Sequence, residues 1–238
     1  MRLTSTADGT SRDVSTLIDY LPAYTFPTNS HTITQHLALG VSLGGHSTYH
    51  CLLQDARITA GVVVIGCPDY TRLMSQRAKN AKLDSWISSD GRDFVGSKDY
   101  PKALVDAVGK YDPAGLILGE LDAVDGGEKR PHEPSEAEQK RIKPILRDTL
   151  GGKRILCLSG GADKLVPYRQ SEPFLNWLKS AIKRDGWAGD LGIVLEDIVD
   201  EEAGHAYSPK MQHEAVRFIV ETLAGEGGLR TGSRSSKI

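Results

Sequence analysis

A serine, an aspartate and a histidine, each placed after an apolar run, give this sequence the residue types needed for nucleophilic hydrolysis. The serine is Ser42, in the G-x-S-x-G pattern of residues 40–44. A serine hydroxyl is a weak nucleophile until a nearby base accepts its proton, and a sharp turn from a strand into a helix presents it to such a base. The apolar run before Ser42 and the helical pattern after it favour this turn over an ordinary glycine-rich strand exit.

The geometry of such a turn leads to expectations for the neighbours of Ser42. The backbone N–H of Leu43, at the positive end of the following helix, is expected to face the oxyanion that forms during attack. We expect a strained backbone at Ser42 itself. We also expect the adjoining strands and helix to crowd the backbone at Gly40 and Gly44, so that glycine is favoured at both positions.

Asp163 and His205 are the predicted acid and base. Asp163 follows the apolar run 154–159 and two glycines, at the strand end where the active sites of open parallel sheets collect. The alternative is that Asp163 only caps a turn or a helix. His205 follows the last predicted strand, where a loop can return the imidazole over the sheet. Four acidic residues before it are rival candidates for the acid: Asp197, Asp200, Glu201 and Glu202.

The remaining candidate ligands and nucleophiles carry weaker patterns. His46 and His50 are four residues apart on the predicted helix, a spacing that suits either a metal site or, more simply, a packed helix face. Cys67 is expected to line the pocket, but no sharp turn presents it as a nucleophile. With only three widely spaced cysteines, we expect reduced, buried thiols and no disulfide framework. We predict no metal and no cofactor.

The elements that must position these residues alternate between strands and helices. Strands are predicted at 36–42, 61–66, 154–159 and 192–196 or a little beyond, and helices at 14–21 (capped by Asp13 and closed by Pro22), 44–53, 168–183 and 209–224. This pattern predicts an α/β fold, a mostly parallel sheet with helices on both faces. We predict one domain, 1–225, with a helical cap or insertion region at 67–153, and a disordered tail at 226–238.

The charge balance argues against two classes of partner. Lys and Arg total 29 against 31 Asp and Glu, so there is no electrostatic case for binding nucleic acid or an anionic membrane surface. No apolar stretch approaches the length of a membrane span, and no secretory signal is visible. We therefore expect a cytoplasmic protein whose partner is a small-molecule or short-peptide substrate.

With these residues in place, the chain resembles the α/β-hydrolase superfamily, near its prolyl-oligopeptidase and dienelactone-hydrolase branches. The resemblance lies in residues 36–46, 61–70, 111–118, 154–167 and 204–205. Ser42, Asp163 and His205 follow the Ser…Asp…His chain order of that superfamily. The resemblance implies a serine hydrolase that cleaves a carboxylic ester, a thioester or a small amide through an acyl-enzyme.

The stretch before Ser42 departs from the pattern of the superfamily. There the serine follows the fifth strand, and an oxyanion-hole N–H comes from a loop after the third, whereas residues 1–41 have room for one helix, a loop and one strand. We expect the first strands and the oxyanion loop to be missing, and self-association through the exposed strand edge. The alternative function is therefore a catalytically impaired, truncated hydrolase-like protein that acts as an interaction module, or an incomplete gene model.

Overall fold

Four parallel strands form one sheet in the part of the chain that the structure describes. The computed structural model describes residues 2–28, 30–119 and 131–231 of the 238. The strands are β1 (His36–Val41), β2 (Ile58–Val64), β3 (Arg154–Gly160) and β4 (Val194–Asp200), and they lie side by side in chain order. Every neighbouring pair is parallel. The predicted α/β class is therefore confirmed.

Helices make the connections between these strands. They are α1 (Arg2–Thr25), α2 (Leu43–Gln54), α3 (Tyr70–Asn80), α4 (Asp84–Ile87), α5 (Lys102–Tyr111), α6 (Pro113–Ile117), α7 (Glu136–Leu150), α8 (Tyr168–Ile182) and α9 (Pro209–Thr231). Helices α3 to α7 lie between β2 and β3, which confirms the predicted helical insertion. Within the described ranges, no helix combines the length and apolar character needed to cross a bilayer.

The sheet is covered on both faces because its central strands are apolar in most positions. In β2, Val63 packs into a core cluster with side chains of α2, α7 and α8. Its neighbours Val62 and Val64 point the other way and pack with Phe218 of α9. Successive side chains of a strand face opposite sides, so an uninterrupted β-branched run requires cover on both. The strand predicted at residues 61–66 is therefore observed as a buried parallel strand, but it begins at Ile58 and ends at Val64.

Helix α1 is longer than the sequence predicted. Neither the N-cap at Asp13 nor the stop at Pro22 is observed, because the helix extends from Arg2 to Thr25 and contains Pro22. Its inner face, with Ala7 and Ser11 almost fully buried, packs against α2. Tertiary packing along this face outweighs the local start and stop signals, and Pro22 removes only one backbone hydrogen bond near the end of the helix.

Strand β1 lies at one edge of the sheet. Among the described strands it pairs only with β2. Leu39 and Val41 are 47% and 39% exposed, so the edge strand presents apolar side chains to solvent. Self-association through this edge stays a prediction.

The last helix ends later than the sequence predicted. Helix α9 extends to Thr231 rather than ending at residue 224. Residues 232–238 of the predicted tail lie outside the described residues, so its disorder stays a prediction, as do the boundaries of the domain and of the cap region.

The glycines that the turn at Ser42 requires are Gly40 and Gly45, not Gly40 and Gly44. A Cβ on Gly40 would lie 2.0 Å from the carbonyl oxygen of Gly44, and one on Gly45 would lie 2.8 Å from that of Val64. A Cβ on Gly44 would meet no described atom within 4 Å. The close approach occurs one residue later than expected because the first turn of α2 crosses the end of β2 at Gly45.

Replacing Gly40 by alanine is therefore expected to destabilise the protein, whereas the same change at Gly44 is not. Gly40→Ala forces two backbone segments apart and is expected to lower the free energy of unfolding by at least about 3 kcal/mol. Gly44→Ala lies in open space within a helix and is expected to stay within about 1 kcal/mol of the wild type. Urea unfolding of both variants measures the difference; equal stability of the two would contradict the observed crowding.

Candidate active site

The three predicted residues meet at one edge of the sheet. Ser42 directly follows β1, Asp163 follows β3, and His205 follows β4. All strands are parallel, so their carboxyl ends lie at the same edge and the loops that leave them are neighbours. Ser42 and Asp163 are 121 residues apart in the sequence, and Asp163 and His205 are 42 apart. The fold nevertheless brings the three side chains within hydrogen-bonding distance of one another in a chain.

Ser42 occupies the sharp turn between β1 and α2. Its backbone has φ 58° and ψ −113°, a positive φ that side chains other than glycine rarely adopt. The Ser42 N–H donates to the carbonyl oxygen of Val64 at 2.9 Å, which fixes the turn to the end of β2. The neighbouring strand thus stabilises a strained conformation that presents the hydroxyl at the sheet edge, as expected.

A continuous hydrogen-bonded chain joins the three side chains. Ser42 Oγ lies 2.7 Å from His205 Nε2, and His205 Nδ1 lies 2.8 Å from Asp163 Oδ2. An ionised carboxylate can only accept, so Nδ1 carries the proton and the lone pair of Nε2 faces the serine hydroxyl. The Asp163 side chain is fully buried, whereas the imidazole is 26% exposed.

The two oxygens of Asp163 have separate roles. Oδ1 accepts the backbone N–H groups of Leu165 and Val166 at 2.8 and 2.9 Å, while Oδ2 faces His205. The alternative that Asp163 caps a turn is therefore correct for one oxygen, and the acid geometry is observed at the other. Because Oδ1 is held by two backbone donors, Oδ2 has a defined direction toward the imidazole.

The rival carboxylates are engaged or positioned elsewhere. Asp197 accepts from the Tyr168 hydroxyl at 2.8 Å and from Lys179 at 2.6 Å. Asp200 accepts from the Ser208 hydroxyl. The other two, Glu201 and Glu202, are exposed residues of the turn that follows β4. Of the five carboxylates considered, Asp163 is the one bonded to His205.

Leu43 is the first residue of α2. The first N–H groups of a helix have no acceptor within the helix, and they carry its positive partial charge. The Leu43 N–H is therefore available next to the Ser42 hydroxyl, as an oxyanion donor would need to be. Its role as such a donor stays a prediction.

A cavity of about 180 Å³ lies beside Ser42. Its wall is formed by residues of α1, of the turn into α2 and α2 itself, of the loop after β2 and α3, of the start of α6, and of the loop after Asp163: Ala7, Ser42, Leu43, His46, His50, Cys67, Tyr70, Leu73, Arg77, Asp112, Pro113, Leu165 and Val166. Sequence reasoning found Cys67 but missed Arg77, Asp112 and Ala7. They lie in α1, in α3 and at the start of α6, and the sequence patterns of these helices do not indicate which strand end they approach.

His46 and His50 belong to the wall of this cavity. His46 Nδ1 donates to the carbonyl oxygen of Ser42 at 3.0 Å, which braces the turn from the helix side. Burial lowers the pKa of His46, and burial lowers the pKa of His50 to about 4, so both rings are neutral near pH 7. Across the described part of the chain, no three His, Cys, Asp or Glu side chains are grouped to hold a metal ion.

Cys67 lies in the cavity wall as a protonated thiol. Its Sγ donates to the carbonyl oxygen of Asp69 at 3.3 Å, and burial raises its pKa to about 12. The thiolate is the reactive form of cysteine, so Cys67 does not compete with Ser42 as a nucleophile. Cys51 and Cys157 are likewise free and buried.

Comparison with known proteins gives partial structural likenesses. No protein-family model and no curated protein matches the chain. Its structure is similar to an acylaminoacyl peptidase of Pyrococcus horikoshii (TM-score 0.47, 15% identity, 84% of this chain and 24% of that one). It is also similar to acyl-protein thioesterase 2 of Zea mays (TM-score 0.46, 12% identity, 92% of this chain and 66% of that one). A third similar structure is an esterase of Pyrococcus furiosus (TM-score 0.45, 16% identity, 89% of this chain and 59% of that one). The chain thus spans between about a quarter and two thirds of those chains.

Proposed function

We propose that this protein is a serine hydrolase that cleaves a carboxylic ester, a thioester or a small amide through an acyl-enzyme. The hydrogen-bonded chain from Ser42 Oγ through His205 to Asp163 carries the proposal. Its members are a nucleophile, a base and an acid that orients the base, in the chain order that the α/β-hydrolase superfamily shows. The reaction needs no cofactor.

The hydrogen bonds of Ser42, His205 and Asp163 support the proton transfers of the proposed reaction. Ser42 Oγ attacks the acyl carbon while its proton passes to His205 Nε2, and the buried Asp163 carboxylate stabilises the imidazolium that forms. The Leu43 N–H receives the oxyanion. As the tetrahedral intermediate collapses, Nε2 returns the proton to the leaving group. Water then attacks the acyl-enzyme with Nε2 again as base, which releases the acid and regenerates the serine.

A fluorophosphonate probe tests this proposal, because its phosphorus reacts with an activated serine as the acyl carbon would. We expect the folded protein to be labelled, with the adduct mapped to Ser42 by mass spectrometry. Ser47→Ala is a matched control: Ser47 is a buried serine of α2 that donates to the Leu43 carbonyl oxygen, and its loss is expected to leave labelling intact.

Two outcomes would count against the proposal. A folded sample that stays unlabelled would favour the alternative, a catalytically silent hydrolase-like protein. Labelling that persists in Ser42→Ala would show that another residue is the nucleophile.

A further inference from the structure

We propose that Arg77 makes the cavity beside Ser42 a subsite for an anionic group of the substrate, so that the preferred acyl group carries a carboxylate. This inference rests on the proposed hydrolase function and names its substrate class. Arg77 lies in the last turn of α3, and it lines the same cavity as the Ser42 hydroxyl.

The guanidinium of Arg77 has unused hydrogen-bonding capacity. One nitrogen, Nη2, donates to the Leu165 carbonyl oxygen at 2.8 Å. Its Nε is buried and has no acceptor within the described structure. No described carboxylate lies within salt-bridge distance of Arg77, although ion pairs are frequent elsewhere on this chain. A partly buried guanidinium without a counter-ion is costly, and a bound carboxylate satisfies it through two parallel N–H···O bonds.

The rest of the cavity wall leaves Arg77 as its source of positive charge. The two histidines of the wall are held neutral by burial. Asp112 also lines the cavity, but burial and the nearby Asp69 raise the pKa of this carboxyl well above its usual range. It accepts the Tyr70 and Gly115 N–H groups and therefore faces inward. Much of the remaining wall is apolar (Leu43, Leu73, Val166), which suits the carbon chain of an acyl group.

The lining also decides which half of the substrate the cavity holds. His205 must deliver a proton to the leaving group, so the leaving group lies on the side of the imidazole. Ser42 and Leu43 line the cavity, whereas His205 is not part of its wall. The proposal therefore assigns the cavity to the opposite side of the scissile bond, where the acyl group would be bound. Leu165 holds the Arg77 side chain against the same loop that carries Asp163.

The test compares two esters of equal chain length. The 4-nitrophenyl hemiester of glutaric acid ends in a carboxylate, and 4-nitrophenyl pentanoate ends in a methyl group. We expect the wild type to have the higher kcat/KM for the hemiester. We expect Arg77→Gln, which keeps a donor for the Leu165 carbonyl oxygen, to lower the hemiester-to-pentanoate ratio of kcat/KM by at least about tenfold, the effect of losing charge-assisted hydrogen bonds.

Two further variants separate charge from geometry. Arg77→Lys keeps the positive charge but loses the planar fork, so the ratio is expected to fall by less than in Arg77→Gln. Lys79→Gln removes a charge from an exposed position two residues along the same helix and is expected to leave the ratio unchanged. A ratio that stays the same in Arg77→Gln, or that falls equally in Lys79→Gln, would overturn the proposed subsite.

A binding measurement separates failure of the subsite from failure of the hydrolase function. Monomethyl glutarate is titrated calorimetrically into Ser42→Ala and into Ser42→Ala/Arg77→Gln. Binding to the first that is lost in the second supports the subsite even if neither nitrophenyl ester is hydrolysed. If both esters are hydrolysed and monomethyl glutarate binds equally to both variants, the subsite is rejected and the hydrolase function stands.

Discussion

His205→Ala is expected to lower kcat for ester hydrolysis by about 10⁴–10⁶-fold, the largest effect predicted for this protein. The imidazole is the group bonded to both the hydroxyl of Ser42 and the carboxylate of Asp163, at 2.7 and 2.8 Å. Without it the hydroxyl has no acceptor for its proton, and the leaving group has no donor. The loss is measured as the rate of 4-nitrophenyl butyrate hydrolysis. Circular dichroism is used to verify that the variant is folded like the wild type.

A double variant gives a stricter test, because the losses of activity from replacing Ser42 and His205 are not expected to add. In the proposed mechanism Ser42 and His205 act as one unit, so Ser42→Ala/His205→Ala is expected to be no more than about tenfold slower than either single variant. His213→Ala, which removes an exposed histidine of α9, serves as the matched control and is expected to keep wild-type activity. If His205→Ala retained more than a tenth of the activity, the imidazole would not be the base.

Asp163→Asn is expected to lower kcat by about 10⁴-fold, the effect of fixing a catalytic histidine in the wrong tautomer. The backbone N–H groups of Leu165 and Val166 point at Oδ1, so the amide oxygen of asparagine will occupy that position. The amide nitrogen then faces His205 Nδ1 and donates to it. This forces the ring proton onto Nε2, which can no longer accept the proton of Ser42.

The control for this variant is Asp200→Asn. Asp200 is the last residue of β4 and binds the Ser208 hydroxyl rather than His205. We expect it to change kcat by less than about threefold, as for a substitution away from the reacting atoms. Equal losses in the two variants would argue for a general weakening of the loops at this sheet edge. Rates are measured at saturating 4-nitrophenyl butyrate.

The sequence predicts the site better than it predicts its surroundings. Ser42, Asp163 and His205 were identified because each follows a strand, and parallel strands place their ends at one edge whatever the intervening chain does. The same reasoning failed at Gly44, since which glycine is crowded depends on where α2 crosses β2. It also failed at Asp13 and Pro22, where packing of α1 on α2 outweighs local signals.

Strand β4 illustrates a similar limit. It was predicted at 192–196 or a little beyond, and it extends from Val194 to Asp200 although three of its seven residues are acidic. Pairing with β3 in register, with Gly160 opposite Asp200, compensates for the poor strand propensity of these residues. Arg77 was missed for a related reason, because the sequence does not indicate that α3 lies near Ser42 in the folded protein.

The two oxygens of the Asp163 carboxylate have different partners, and this limits which residues can replace Asp163. A glutamate there would be longer by one methylene, so its carboxylate could not keep both the Leu165 and Val166 amides and the imidazole unless the loop were rebuilt. The adjacent Lys164 is exposed and carries no such constraint. These two neighbouring positions are therefore expected to tolerate substitution very differently: Asp163 does not admit a longer carboxylate, whereas Lys164 is expected to accept other side chains.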